Sequence, residues 1–528
     1  MKQLKKSRNN NYRISCLMLL CLGIFLSVSL FAQVTDRDWS KFPMDEGHFD
    51  QSWESLATYN VPEWFRDAKL GIWAIIGPQC VPMQGDWYAR NMYIEGYRQN
   101  KYHVEHYGHP SEFGYKDLIE LFNPVKLDFD HLVGLYKKAG AKYAVILAIH
   151  HDNFDLWDSK HHEWNSVKKG PHRDLVGEFR KATQKHQLRF GVTTHLARSN
   201  SWLQTSHGAD KEGLKAGVPY DGADTNYASL YHYPGPEGRG YPNHPPVQWE
   251  LQFYHRVKDL IDSYQPDLMY FDGNYPFPHD DGEVGRRLVA HYYNANANWY
   301  LGDNQAAMCI KHTRPETCVL DIERGKSKSI SKYPWQTDTC IGGWYYQVGI
   351  NYKTTADIIR MLIDIVSKNG NLLLNIPLHP NGSIDEQEEA ILEGLGQWMS
   401  INGSGLYGSR PWVVFGEGPS MTKEKSANRF GGITDVESFE PGDLRFVTKG
   451  DNELYTFLMA WPEEGKITIK TLASSNTDKL QIESVTMLGV SEPLDFRQTN
   501  NGLVVYLPET TLCQHAWTLC IRGEGLTN

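Results

Sequence analysis

The segment "DFDHLVGLYKKAGAKYAVILAI" changes character at Gly140. Before it, apolar residues recur at three- and four-residue spacing, which predicts an amphipathic helix with Gly140 as its stop. After it, the apolar run is unbroken, which predicts a strand buried on both faces from about Lys142 to Ile149. The same succession recurs in "DLVGEFRKATQKHQLRFGVTTH" and "QFYHRVKDLIDSYQPDLMYFDG". Helices alternating with fully buried strands predict a parallel sheet.

The runs "KLGIWAII", "YAVILAI", "RFGVTTH" and "DLMYFDG" end in small or polar residues, placing Gly77, His150, His195 and Asp272 at strand C-termini. In a (β/α)8 barrel those ends form the active-site face. A doubly wound open sheet is the alternative, but no Gly-rich phosphate loop follows the first strand. From about Tyr407 the pattern shifts to short alternating segments such as "GKITIKTL", "IESVTMLG", "GLVVYLP" and "HAWTLCIRG". These predict a C-terminal antiparallel β-sandwich. The expected layout is a signal peptide over 1–32, a (β/α)8-like barrel over 33–406 and the sandwich over 407–528.

The leader "MKQLKKSRNNNYR" carries five cations and no acid and precedes the apolar run "ISCLMLLCLGIFLSVSLFA", which reads as a secretory signal cleaved near Ala32. The mature protein is expected to be periplasmic or secreted, with no stable membrane span. Losing those five cations moves the formal charge from −10 to −15, which argues against nucleic acid as a partner. Outside the leader lie six scattered cysteines with no CxxC pair, so neither a zinc ribbon nor a disulfide-dense scaffold is indicated. Neither the sequence pattern nor the composition fixes an oligomeric state.

The densest chemistry is "IHHDNFDLWDSKHH". Adjacent side chains at a strand end diverge and no standard zinc spacing appears, so no metal is expected. His150 and His151, directly after an apolar strand, read instead as the floor of a polar pocket, while His161 and His162 read as structural. Asp272 is either a turn residue or a carboxylate presented at the barrel mouth. Glu323 follows on a later loop, with Asp321 as the competing carboxylate. An Asp and a Glu from neighbouring loops can serve as nucleophile and general acid/base in glycoside cleavage. Trp87, Tyr88 and Trp344, with Trp73, Trp157, Tyr345 and Tyr346, lie near strand ends where flat rings can pack on a pyranose.

Together "WFRDAKLGIW", "GDWYARNMY", "KYAVILAIHHDNFDLWDSK", "GPHRDLVGEF", "YFDGN", "DIERG" and "VSKNGNLLLNIPLHPNGSI" resemble family 29 of the glycoside hydrolases, the α-L-fucosidases. The "GPQC", "GDWYAR" and "DIERG" forms are similar to the α1,3/1,4-selective branch. The resemblance implies a retaining exo-hydrolase without a cofactor that removes α-L-fucose from oligosaccharides or glycoconjugates. Asp272 would be its nucleophile and Glu323 its acid/base. His150, His151 and Trp87 would contact the sugar, Asp86 stands where many members carry glutamate, and His195, Tyr88 and Trp344 complete the expected site. This chain has Ile75-Ile76 where the family usually has His-Trp, which opens an α-L-galactosidase on the same scaffold as an alternative. A non-catalytic glycan-binding protein and a metal-dependent hydrolase are alternatives of other classes.

Overall fold

Seven consecutive apolar residues cannot sit at a protein surface, and in the computed structural model the strand they form, Tyr143–Ile149, is buried along its whole length. The structure describes residues 37–242, 245–311, 313–423, 433–475 and 480–526; the expected signal peptide lies outside them. Residues up to Pro43 form a unit of their own, of which Trp39–Lys41 is a 3₁₀ turn capped by Asp38.

In the unit from Met44 onward, the first strands are β1 (Leu70–Ile75), β2 (Tyr143–Ile149), β3 (Arg189–Thr194), β4 (Leu268–Phe271) and β5 (Ala307–Lys311). They are followed by β6 (Val319–Asp321), β7 (Gly325–Lys326), β8 (Trp335–Cys340) and β9 (Gly370–Pro377). All of these except β7 pair in parallel into a closed barrel, which shuts where β1 meets β9 with Trp73 opposite Asn375. The barrel is therefore the arrangement adopted, and the open-sheet alternative is excluded.

The helices between strands obey their sequence signals. The helix α1 (Phe129–Lys138) is capped by the Asp128 side chain accepting from His131 N, and α2 (Leu175–Lys185) by Asp174 accepting from Gly177 N. Gly140, which ends the first helical pattern, has φ 100°. A Cβ there would lie 2.8 Å from the Tyr407 hydroxyl, so both backbone and space call for glycine. Two further helices matter below, α3 (Val247–Tyr264) and α4 (Thr355–Ser367).

Beyond the barrel come β10 (Arg410–Glu417), β11 (Ile433–Thr434), β12 (Leu444–Lys449), β13 (Glu453–Leu458) and β14 (Lys466–Ile469). They continue with β15 (Gln481–Met487), β16 (Phe496–Thr499), β17 (Gly502–Tyr506) and β18 (Trp517–Glu524). One antiparallel sheet runs β10-β12-β13-β18-β15 and another β14-β17-β16. They share one apolar core that includes Phe446, Leu454, Ile469, Leu503 and Ile521. That is the sandwich the alternating pattern predicts.

Two features tie these sheets to the barrel. The short β11 pairs with β7, the segment immediately after Glu323. Asp364 on α4 is fully buried and lies 2.6 Å from Arg445 of β12, 2.7 Å from Lys368 and 3.2 Å from Lys326 of β7. Burial alone would raise its carboxyl, but the three cations hold it well below the usual carboxylate range. Replacing Asp364 with Asn leaves buried cations uncompensated, and we expect a loss of about 3–5 kcal/mol of stability. Chemical denaturation of the two proteins checks this.

Candidate active site

A parallel barrel delivers every strand's C-terminal end to one face, and there a cleft of about 400 Å³ opens. Its floor follows from a local irregularity. The β2–β3 register shifts between Leu147 and Ile149, and beyond the shift both His150 and His151 line the cleft. Their ring centroids are 4.5 Å apart, so the expected divergence of adjacent side chains does not occur.

The hydrogen bonds give the two rings opposite roles. The Gln79 amide is oriented by Ala89 N donating to its Oε1, so its Nε2 donates to His150 Nδ1 at 2.9 Å. His150 therefore carries its proton on Nε2, 3.6 Å from Asp86 Oδ1. His151 instead donates from Nδ1 to the His195 carbonyl at 2.6 Å, leaving an Nε2 lone pair 3.5 Å from Asp272 Oδ2. Burial lowers both imidazoles well below their usual value, so both are neutral near pH 7. One ring presents a donor and the other an acceptor facing a carboxylate, an arrangement that a ligand hydroxyl satisfies.

His150, His151 and His195 also form the one group of three potential metal ligands found among the described residues, with donor atoms within 4.8 Å of one another. The assigned proton on His150 Nε2 occupies the position a metal would need. The donor set therefore suits hydroxyls better than a cation.

Asp272 directly follows β4 and is anchored by its main chain. Its N–H donates to Thr194 O, and its carbonyl accepts from the Tyr241 hydroxyl at 3.0 Å. Its carboxylate accepts from Lys311 Nζ at 2.7 Å and lies 3.4 Å from Arg198 and 3.6 Å from His195. Burial opposes the charge, but Lys311 and Arg198 prevail and hold the carboxyl well below its ordinary range. Glu323 Oε2 accepts from the same Lys311 Nζ at 2.7 Å. Burial raises this carboxyl above its ordinary value, Asp338 and Asp272 add to the rise, and Lys311 opposes it. Two carboxyls of one site are thus pushed apart in acidity, as an ionised group and a proton carrier must be.

Asp86, Trp87, His195 and Trp344 also line the cleft. Burial pushes the Asp86 carboxyl up to about 8. The Trp87 ring stands edge-on to His151 and Trp202, with Arg239 over it. Tyr88 corrects the sequence expectation: it is fully buried in the core, outside the cleft, with its hydroxyl 3.1 Å from His103 Nδ1. Trp87 takes a left-handed conformation (φ 64°) and starts a short helix, so its neighbour turns inward. Asp321 is also buried below the cleft, accepting from Gln336 at 2.8 Å. In the histidine-rich stretch, Asp155 pairs with the buried Arg256 and His162 bonds the Asn153 carbonyl, so both are structural.

The sequence reading missed Lys311, Arg198, Tyr241 and Asp338. Lys311 ends the apolar run "AMCIK", the same signal that marks Asp272. Tyr241 lies in a Pro/Gly-rich loop with no local signal. Lys311→Met is expected to lower kcat/KM about 100-fold and to shift its acid limb to higher pH, because the cation that favours ionised Asp272 is gone. Lys311→Arg should restore part of both. The pH–rate profiles of the two variants check this.

A family model described as "Alpha-L-fucosidase" matches residues 40–404, and one described as "Alpha-L-fucosidase C-terminal domain" matches 439–522. Rat tissue α-L-fucosidase is 27% identical, covering 89% of this chain and 92% of its own. Human plasma α-L-fucosidase is 26% identical, covering 90% and 92%. The structure of Thermotoga maritima α-fucosidase in complex with fucose superposes with a TM-score of 0.68 at 26% identity, covering 89% of this chain and 99% of that one. With a closed parallel barrel, a two-carboxylate cleft and a family match over most of its length, the chain belongs to the α-L-fucosidase family of glycoside hydrolases.

Proposed function

We propose that this protein is an exo-acting α-L-fucosidase that works with retention of configuration. One observation carries the mechanism. Asp272 Oδ1 and Glu323 Oε2 each lie 2.7 Å from one Lys311 Nζ, so they are no more than twice that, about 5.4 Å, apart. Retaining glycosidases hold their carboxyls ~5–5.5 Å apart, whereas inverting ones leave ~6.5–9.5 Å for a water.

Asp272, kept ionised, attacks the anomeric carbon as Glu323 gives its proton to the departing glycosidic oxygen. The glycosyl ester on Asp272 is then cleaved by water, whose proton Glu323 takes back, and the free carboxylate is restored. The His150 donor and the His151 acceptor would hold sugar hydroxyls, with Trp87 flanking them. Trp73, Ile75 and Trp344 give the cleft an apolar side. This suits the methyl group of fucose and offers no partner to the extra hydroxyl of L-galactose, so Ile75 supports fucose.

The relatives' names and the fucose in the Thermotoga maritima complex support the same sugar. The "GPQC", "GDWYAR" and "DIERG" forms support a preference for α1,3/1,4 linkages. The leader supports export to the periplasm or beyond the cell, and no helix among the described residues is long and apolar enough to cross a membrane.

Asp272→Asn is expected to lower kcat on an aryl α-L-fucoside by at least ~1,000-fold while fucose binding persists. Near wild-type turnover in that variant would overturn the assignment of Asp272. NMR of the first-formed sugar should show the α-anomer. Because the mechanism uses two carboxyls and no metal, exhaustive treatment with a chelator should leave turnover unchanged, and its loss would favour the metal-dependent alternative.

A further inference from the structure

Two buried carboxyls next to the catalytic pair, Asp321 and Asp338, neither attack nor donate in the double displacement. Asp321 ends β6 and opposes Gln336 in the parallel β6–β8 register. Asp338 lies two residues beyond Gln336 on β8, on the same face of that strand, and lines the cleft. The two aspartates are therefore neighbours at the strand ends, within hydrogen-bonding reach of each other.

Their remaining hydrogen bonds are complementary. Asp321 Oδ2 accepts from Gln336 Nε2 at 2.8 Å, and the Tyr143 hydroxyl orients that amide by donating to its Oε1 at 3.0 Å. Asp338 Oδ2 accepts from the Tyr270 hydroxyl at 3.1 Å and lies 3.6 Å from Lys311 Nζ. That leaves the Oδ1 atom of each, and both are buried with no hydrogen-bond partner. Two ionised carboxylates so placed would repel each other and strand two acceptors, a combination that native interiors rarely tolerate. One proton between them removes the repulsion and satisfies both atoms. Lys311 cannot neutralise the pair instead, because Asp272 and Glu323 already accept from it at 2.7 Å each. Arg198, Arg239 and Arg324 also line the cleft, and Arg198 lies 3.4 Å from Asp272. The other titratable groups facing the pair, Tyr143, Tyr270, Cys309 and Cys340, are each raised by burial and stay neutral near pH 7.

We propose that Asp321 and Asp338 share one proton, carried on Asp321 Oδ1 and donated to Asp338 Oδ1, so that the pair presents a single fixed negative charge beside Lys311. Its role rests on the reading of Glu323 as the acid/base. The charge lodged on Asp338 raises the Glu323 carboxyl and so favours the proton-donating form, which makes Asp338 a positioning residue. Asp321 keeps that charge at one.

The test compares pH–rate profiles of the full-length mature protein, Asp321→Asn and Asp338→Asn on an aryl α-L-fucoside. Asparagine at position 321 can still donate to Asp338 and accept from Gln336, and it replaces a neutral acid. The alkaline limb of kcat/KM should therefore stay within about 0.3 pH unit of the wild type. Asparagine at position 338 removes the charge that raises Glu323, so the limb should move to lower pH by about one unit. Equal shifts in the two variants would reveal two separate charges and overturn the shared proton, and an unmoved limb in Asp338→Asn would overturn its role. A second measurement needs no variant. Infrared spectroscopy of wild-type protein carrying carboxyl-labelled aspartate should show a protonated aspartate C=O stretch at about pH 9.5, where ordinary aspartates are ionised. Its absence would overturn the proposal. That band without turnover of any fucoside would retain the shared proton and overturn the fucosidase reading instead.

Discussion

The site depends on one buried cation. Lys311 ends a strand in which every residue is buried, and an ammonium group there is stable only against compensating negative charge. Asp272 and Glu323 supply it at 2.7 Å each, and Asp338 lies 3.6 Å away. The carboxyls in turn need the lysine, because two of them this close repel each other in a low-dielectric cleft. One interaction therefore ties the two carboxyls to a shared cation, and it favours the ionised form of both. Arg198 biases the balance toward an ionised Asp272, while burial raises the Glu323 carboxyl above its ordinary value.

The C-terminal sheets take part in the same geometry. Glu323 lies on the link between β6 and β7, and β7 pairs with β11 from beyond the barrel. Lys326 of β7 is held by Asp364 and by Glu437, which follows β11 by three residues. Asp435, next to β11, accepts from Thr339 of β8 at 2.7 Å. The loop that carries Glu323 is thus clamped from outside the barrel, which gives the C-terminal sheets a direct physical connection to the cleft.

Much of this was legible in the chain. Unbroken apolar runs can only be strands covered on both faces, so the parallel core and its polar C-terminal ends followed from period and position. Asp272 and the paired histidines line the cleft because each directly follows such a run. Lys311 carries the same signal and was overlooked because a lone lysine after a strand suggests no chemistry until its partners are known. Tyr88 was misplaced because sequence adjacency to Trp87 says nothing about which way the chain turns at a left-handed residue.

The sequence by itself determined the elements, their order and the side-chain types at the barrel mouth, because periodicity and burial are local properties. Tertiary structure decided what those side chains do. A register shift brings two adjacent histidines to one cleft, closure of β1 on β9 completes the ring of strand ends, and Lys311 meets Asp272 and Glu323 across three strands. Acidity, proton position and carboxyl separation all depend on distances between residues far apart in the chain, and no local pattern encodes them.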